Sequence, residues 1–229
     1  MAEDGPRQPD PHKATQIAIV GKKGSGKSEL GWLLFESYPL DRALVDPNGD
    51  IKVDEEEVED LDVDAIPARW PVSRFEEGKR QTLRFVPDFG SPTYLDDIDR
   101  VIGLAYTHGR TAAFVDEAHE AAPAGRTPPH MRRALRQGRH HDLTLILATP
   151  RPMTVDPLVI SQADWVYVFK LPNPNDRKRV AETIGWDPKT FDAGVHGLAE
   201  FEYLRYDAAE DDLAHFPALP EHLIAHHKG

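Results

Sequence analysis

Read as a string of apolar and polar positions, the chain alternates short apolar runs with longer stretches of helical periodicity. The runs are Thr15 to Val20, Arg42 to Val45, Gln81 to Val86, Thr111 to Val115, Leu143 to Ala148, Trp165 to Phe169 and Phe201 to Tyr206. Short and bounded by turn residues, they predict strands. Between them, Glu29 to Ser37, Tyr94 to Tyr106, His130 to Gly138, Leu158 to Ala163 and Asp176 to Ile184 predict helices. The clearest is Tyr94 to Tyr106, where Leu95, Ile98, Val101, Ile102 and Ala105 form one stripe and Gly109 ends the helix. Leu30, Leu33 and Leu34 are expected on the buried face of the first helix, which Pro39 stops. Leu143 to Ala148 is continuously apolar, which suits a central parallel strand buried on both faces. Strands alternating with helices predict an α/β domain with a mostly parallel sheet and helices on both faces. No internal repeat is visible.

The organisation follows from where the pattern fades. Residues 1–13 are polar and proline-rich and are expected to be a disordered tail, 14–207 one domain, and 208–229 a weakly structured tail. A chain of 229 residues with 40% hydrophobic and 29% charged positions can build a substantial core. It has no cysteine, which excludes disulfides, thiolate zinc sites and thiol catalysis. No apolar stretch is long enough for a membrane span, and the first residues lack the apolar core of a signal peptide.

Charge changes the picture locally. The formal net charge is −12, which argues against a surface coated for nucleic acid. Asp50 to Asp64 holds nine acidic residues against Lys52 alone, and is expected to be a solvated loop or frayed helix. Arg126 to Arg151 holds six arginines against Asp142 alone. Such a segment can engage phosphates within an acidic protein.

The candidate chemistry centres on Gly21-Lys22-Lys23-Gly24-Ser25-Gly26-Lys27-Ser28, between the first strand and the helix that opens with Glu29. The spacing G-x-x-x-x-G-K-[ST] in a strand–loop–helix context is that of a phosphate-binding loop. Glycines let backbone N–H groups turn toward a triphosphate, and the helix N-terminus adds partial positive charge. Lys27 is placed to reach the β- and γ-phosphates of ATP, and Ser28 to ligate Mg²⁺. Asp116 and Glu117 end another strand, so they share the loop's edge of a parallel sheet. Asp116 then serves the Mg²⁺ shell, and Glu117 polarises water for attack on the γ-phosphate, which favours hydrolysis over transfer. If the strand ending at Thr149 lies between those two motifs, Thr149 points a hydroxyl at the γ-phosphate. The arginines at 132–139 have two readings, a finger into a neighbouring subunit's nucleotide or contacts to nucleic-acid phosphates. His119, His140 and His141 lack the spacing of a metal site.

Taken together, these segments resemble the HerA/FtsK superfamily of P-loop motors over about residues 15 to 171. They are the loop Gly21 to Ser28, the strand and turn Leu44 to Asp50, Phe114 to His119, Gly138-Arg139-His140 with Leu145 to Pro152, and Ile160 to Asp164. The resemblance implies a RecA-like P-loop fold with an additional strand. It further implies an ATP-hydrolysing motor that forms a homo-oligomer, a hexameric ring, and moves double-stranded DNA through its pore. By position it makes Arg139 the inter-subunit finger, with Arg136 as second choice. The family pattern has glutamine where this chain carries Pro150, so any γ-phosphate contact from this strand falls to Thr149 or is lost. The short core is similar to the genome-packaging ATPases of internal-membrane, double-jelly-roll viruses. That likeness implies a capsid or portal partner and a place in the cytoplasm of a host or at a virion vertex.

Two other classes remain open at this point. One is an ATP-dependent assembly or secretion switch similar to zonula-occludens-toxin-like phage morphogenesis proteins, whose usual membrane segment is not visible here. The other is a small-molecule kinase, for which neither an acceptor pocket nor a lid is identifiable.

Overall fold

The structure, a computed structural model, describes residues 9–10, 12–39, 41–49, 51, 58–67, 69–70 and 81–220. Its strands are β1 (Gln16–Val20), β2 (Asp41–Val45), β3 (Val58–Asp60), β4 (Thr82–Phe85), β5 (Thr111–Val115), β6 (Leu143–Thr149), β7 (Trp165–Val168), β8 (Tyr203–Asp207) and β9 (Asp212–Phe216). Its helices are α1 (Lys27–Ser37), α2 (Tyr94–His108), α3 (Ala118–Ala121), α4 (Pro129–Gln137), α5 (Leu158–Ser161), α6 (Pro174–Ile184) and α7 (Pro188–Gly197). The strands form one nine-stranded sheet in the order β3-β4-β2-β5-β6-β1-β7-β8-β9. All pairs are parallel up to β7, and β8 and β9 are antiparallel additions.

The period-2 alternation of each strand sorts its side chains into two cores. Ala18, Val20, Ala113, Val115, Leu145 and Leu147 face one, and Ile17, Ile19, Phe114, Ile146 and Ala148 face the other. The first core also takes the apolar stripes of α2, α4, α5, α6 and α7. The second is closed by α1 through Leu30, Trp32 and Phe35. Helices therefore lie on both faces, unevenly. The strand expected to be central, β6, occupies the middle position and is buried along its whole length.

Several elements differ from expectation for local reasons. In α1 the buried positions beyond Lys27 are Leu30, Gly31, Trp32 and Phe35, while Leu33 and Leu34 are only partly buried. Gly31 sets this rotation, because a Cβ there would lie 2.5 Å from Phe114 Cζ. The acidic stretch holds a short edge strand, β3, rather than only loop or frayed helix. Arg84 of β4 pairs with Asp60 at 2.6 Å, which ties part of the acidic surface to the sheet. Residues 50 and 52–57 of that run lie outside the described residues, as do 1–8, 11 and 221–229 of the expected tails. Within the expected weakly structured segment, β9 pairs along all of β8, and Phe216 stacks on Tyr203 at 5.3 Å between ring centroids. Mixed polar and apolar residues in β9 hid a strand that is an exposed edge on one side. The helix α7 was also missed, since its buried residues are only Phe191 and Val195.

Candidate active site

The loop 21–28 is stitched to the strands on either side of β1. Gly21 N donates to Thr149 O at 3.3 Å and Lys22 N donates to Lys170 O at 2.9 Å. Gly21 has to be glycine, because a Cβ would sit 2.5 Å from the Cβ of Phe169. Gly26 holds φ at +97°, a left-handed conformation, and so turns the chain into the N-terminus of α1. Lys22, Lys23 and Gly24 form an exposed crest, while Ser25, Gly26 and Lys27 form a buried floor. Ser25 Oγ is buried with no hydrogen-bond partner among the described residues. The helix therefore starts at Lys27, two residues before the expected Glu29, as a phosphate cradle requires.

Four predicted residues converge here. Ser28 Oγ donates to Asp116 Oδ2 at 2.9 Å, which joins the loop to the end of β5. Lys27 is 5% exposed and its Nζ donates to Lys22 O at 3.2 Å. Burial lowers its pKa, and the carboxylates of Asp116, Glu117 and Glu29 pull it back up. Glu117 follows Asp116 in a left-handed conformation with φ +55°. Such a backbone is costly for glutamate, and it puts Glu117 at the N-cap position of α3 with no capping hydrogen bond from its side chain. Burial, then the charge of Asp116, pushes the Glu117 carboxyl up, while His119, Lys27 and Lys23 oppose the rise.

Thr149 lies at the end of β6, between β5 and β1 as its expected role requires. It is fully buried, and its Oγ1 accepts from Arg151 N at 3.2 Å, which leaves the hydroxyl proton free to be donated elsewhere. The turn Asp46 to Gly49 packs beside this edge. Asp116 N donates to Val45 O at 3.2 Å, and Asp46 Oδ2 accepts from Ile51 N at 3.1 Å.

The arginines are placed elsewhere. Arg139 pairs with Asp164, whose other carboxylate oxygen accepts from Gln16 N at 2.8 Å. Gln16 begins β1, so Arg139 lies at the edge of the sheet opposite the loop. Arg136 is exposed in the last turn of α4, next to it in sequence. Neither belongs to the site formed within its own chain. His141 lies tilted against Tyr106 with ring centroids 4.2 Å apart. Among the described residues no cluster of three or more potential ligands suits a protein-only metal cage.

The Ser28–Asp116 pair fits Mg²⁺ differently. Magnesium commonly takes one or two protein oxygens and completes its octahedron with phosphates and water. A serine hydroxyl and a buried carboxylate beside a phosphate loop are such a donor set.

The sequence reading missed the partner of Glu117. His119 Nδ1 is 3.3 Å from Glu117 Oε2, and His119 Nε2 is 3.3 Å from Glu120 Oε1. Tyr94 OH then donates to Glu120 Oε2 at 3.4 Å. In the sequence His119 is only a residue without metal-site spacing at the end of the segment Phe114 to His119, and nothing local pairs it with Glu117.

Comparison with solved structures matches this arrangement of strands and loop. The genome packaging NTPase B204 from Sulfolobus turreted icosahedral virus 2, solved in complex with AMP, superposes with a TM-score of 0.70 at 22% identity, over 92% of this chain and 100% of that one. The fold is that of a P-loop NTPase. VirB4 of Thermoanaerobacter pseudethanolicus gives a TM-score of 0.60 at 10% identity, over 95% of this chain and 93% of its own. The pCW3 conjugation coupling protein TcpA, solved with ATPγS, gives 0.56 at 13% identity, over 96% and 67%. No protein-family model matches the sequence, and no curated protein matches it. Among the described residues no helix is long and apolar enough to cross a membrane.

Proposed function

We propose that this protein is an ATP-hydrolysing motor that moves double-stranded DNA, with viral or mobile-element genome packaging as its task. The observation that carries the nucleotide chemistry is the Ser28–Asp116 hydrogen bond at 2.9 Å, formed beside buried Lys27 and partly buried Glu117. In this reading Lys27 and the backbone of residues 21–28 hold the phosphates, and Ser28 and Asp116 hold Mg²⁺. The ion, when bound, offsets phosphate charge and orients the γ-phosphate. Glu117 orients and deprotonates the attacking water, and Thr149 donates its hydroxyl toward the γ-phosphate. Arg139, or Arg136, completes the site of a neighbouring copy in a ring, for which a hexamer is the proposed size. The position of Arg139 at the far edge supports a role between subunits, since it cannot reach its own loop.

The likeness to the packaging NTPase B204 supports DNA as the translocated partner. Exposed Arg132, Arg133 and Arg136 on α4 give an otherwise acidic chain a place to meet phosphates. A capsid or portal protein would anchor such a ring, in host cytoplasm or at a virion vertex. The test is ATP hydrolysis with and without double-stranded DNA at low salt. Stimulation by DNA, with loss of turnover in Lys27→Ala, is expected. An unchanged rate on adding DNA at every salt concentration overturns the motor reading.

A further inference from the structure

The γ-phosphate end of the site is marked by Ser28, Asp116, Glu117 and Thr149, contributed from the β5–β6 side of β1. A nucleotide lying along the loop with its γ-phosphate there sends its nucleoside end to the other side, toward β7 and β8. That side carries an unexplained residue. Phe201 sits in the turn between α7 and β8 with φ at +64°. A left-handed backbone is rare for a bulky residue and is ordinarily given to glycine or asparagine.

The turn does not need the phenyl ring to close. Ala199 N donates to Glu202 Oε2 at 2.9 Å, and Lys170 Nζ donates to Leu198 O at 3.0 Å. The adjoining loop after β7 is fixed from below. Arg177 Nη1 donates to Leu171 O at 2.7 Å and to Pro172 O at 2.8 Å, while Arg177 Nε holds Asp192 at 2.5 Å. What the ring does stand beside is the phosphate loop. A side chain at Gly26 would meet Phe169 Cε1 at 3.4 Å and Phe201 Cδ1 at 3.5 Å. Phe169 is fully buried and Tyr203 nearly so, whereas Phe201 is only partly buried. An aromatic ring is thus held on a rigid turn, in a disfavoured conformation, beside the floor of the loop and with surface left open.

We propose that Phe201 is the stacking platform for the base of the nucleoside triphosphate held by residues 21–28. This rests on the nucleotide-binding reading given above and deepens it. Every base has a π-face, so the platform distinguishes a nucleotide from bare polyphosphate rather than one purine from another.

The test separates base from phosphate. Affinities for ATP and for inorganic tripolyphosphate, both with Mg²⁺, are measured by calorimetry on the full chain, together with thermal melting. Phe201→Gly accepts the φ of this position and is expected to melt at or above the wild-type temperature. It should bind tripolyphosphate like wild type and ATP about tenfold more weakly, within the range of base–aromatic stacking. Phe201→Tyr should retain wild-type ATP affinity. Unchanged ATP affinity in Phe201→Gly overturns the platform, as does equal weakening for both ligands, which would make the ring a support for the loop. A wild-type protein that binds neither ligand, or keeps both in Lys27→Ala, overturns the nucleotide reading and the platform with it.

Discussion

Glu117 and His119 face each other across the turn that opens α3, with Oε2 and Nδ1 3.3 Å apart. The contact is close but not aligned for hydrogen bonding, and among the described residues neither buried atom has a hydrogen-bond partner. The histidine therefore acts on the glutamate by charge and position. It is itself held from the far side by Glu120, which Tyr94 holds in turn.

If Glu117 is the base, as proposed, this pair should set the acid side of the rate profile. Glu117 can take a proton from water only when ionised. Burial and Asp116 place its pKa above the ordinary carboxylate range, and His119 opposes them. Turnover should fall as pH drops through that raised value. His119→Ala removes an opposing influence, so the acid limb of kcat should move to higher pH. A limb that stays in place, or moves lower, would show that His119 does not tune the base.

Glu117→Gln should cost activity and add stability. Loss of a general base typically lowers turnover by about 10²–10⁴. A raised carboxyl pKa in the fold means that ionising the group at neutral pH disfavours the folded state. Its destabilising effect is absent below the unfolded-state pKa and fully present once pH exceeds the folded-state value. The neutral amide removes it, so Glu117→Gln should melt higher than wild type at pH 7 and no higher at pH 4. The left-handed backbone is unchanged by the swap, which isolates the charge. Equal melting temperatures at both pH values would remove the basis for this trade.

Arg139 yields a mixing experiment. Its ion pair with Asp164 lies at the edge of the sheet opposite Lys27, so one subunit's arginine and its own lysine serve different sites in the proposed ring. Lys27→Ala and Arg139→Ala should each be nearly inactive alone, the latter by about 10³ or more. Co-assembled, they should recover turnover at sites where an intact loop meets an intact arginine. If the mixture stays inactive, the same mixing with Arg136→Ala decides between the two candidates. Failure of both overturns the idea that the site is shared.

Much of this molecule is legible in its sequence because its strongest signals are local. The glycine loop, the strand-ending Asp116-Glu117 and the uninterrupted apolar strand β6 each state their own structure. From them follow the central place of β6 and the meeting of Ser28 with Asp116 at one sheet edge, while the full strand order comes from the structure. What escaped is non-local or defined by the backbone. Strand β9 exists because β8 offers it an edge, not because its own pattern alternates. Phe201 reveals itself only through a φ of +64° and its place beside Gly26. The pairing of Arg139 with Asp164 joins residues brought together by the sheet.

The rotation of α1 offers a stability test in which two known effects oppose each other. Gly31 lies inside a helix, where alanine is intrinsically favoured by about 0.8–1.0 kcal/mol. A Cβ there would stand 2.5 Å from Cζ and 2.6 Å from Cε2 of Phe114, a fully buried ring in the core under α1. Overpacking of this kind costs about 1–3 kcal/mol, so the clash should win and Gly31→Ala should be less stable than wild type in urea. Phe114→Leu makes room at its own cost in lost packing. In the double variant the Gly31→Ala penalty should shrink or reverse, giving a coupling energy of about 1 kcal/mol or more in a double-mutant cycle. Because α1 carries Lys27 and Ser28, the single variant should also bind ATP more weakly, and Phe114→Leu should restore part of that loss. A stabilised Gly31→Ala would mean that the ring yields freely and that Gly31 does not set how α1 sits on the sheet.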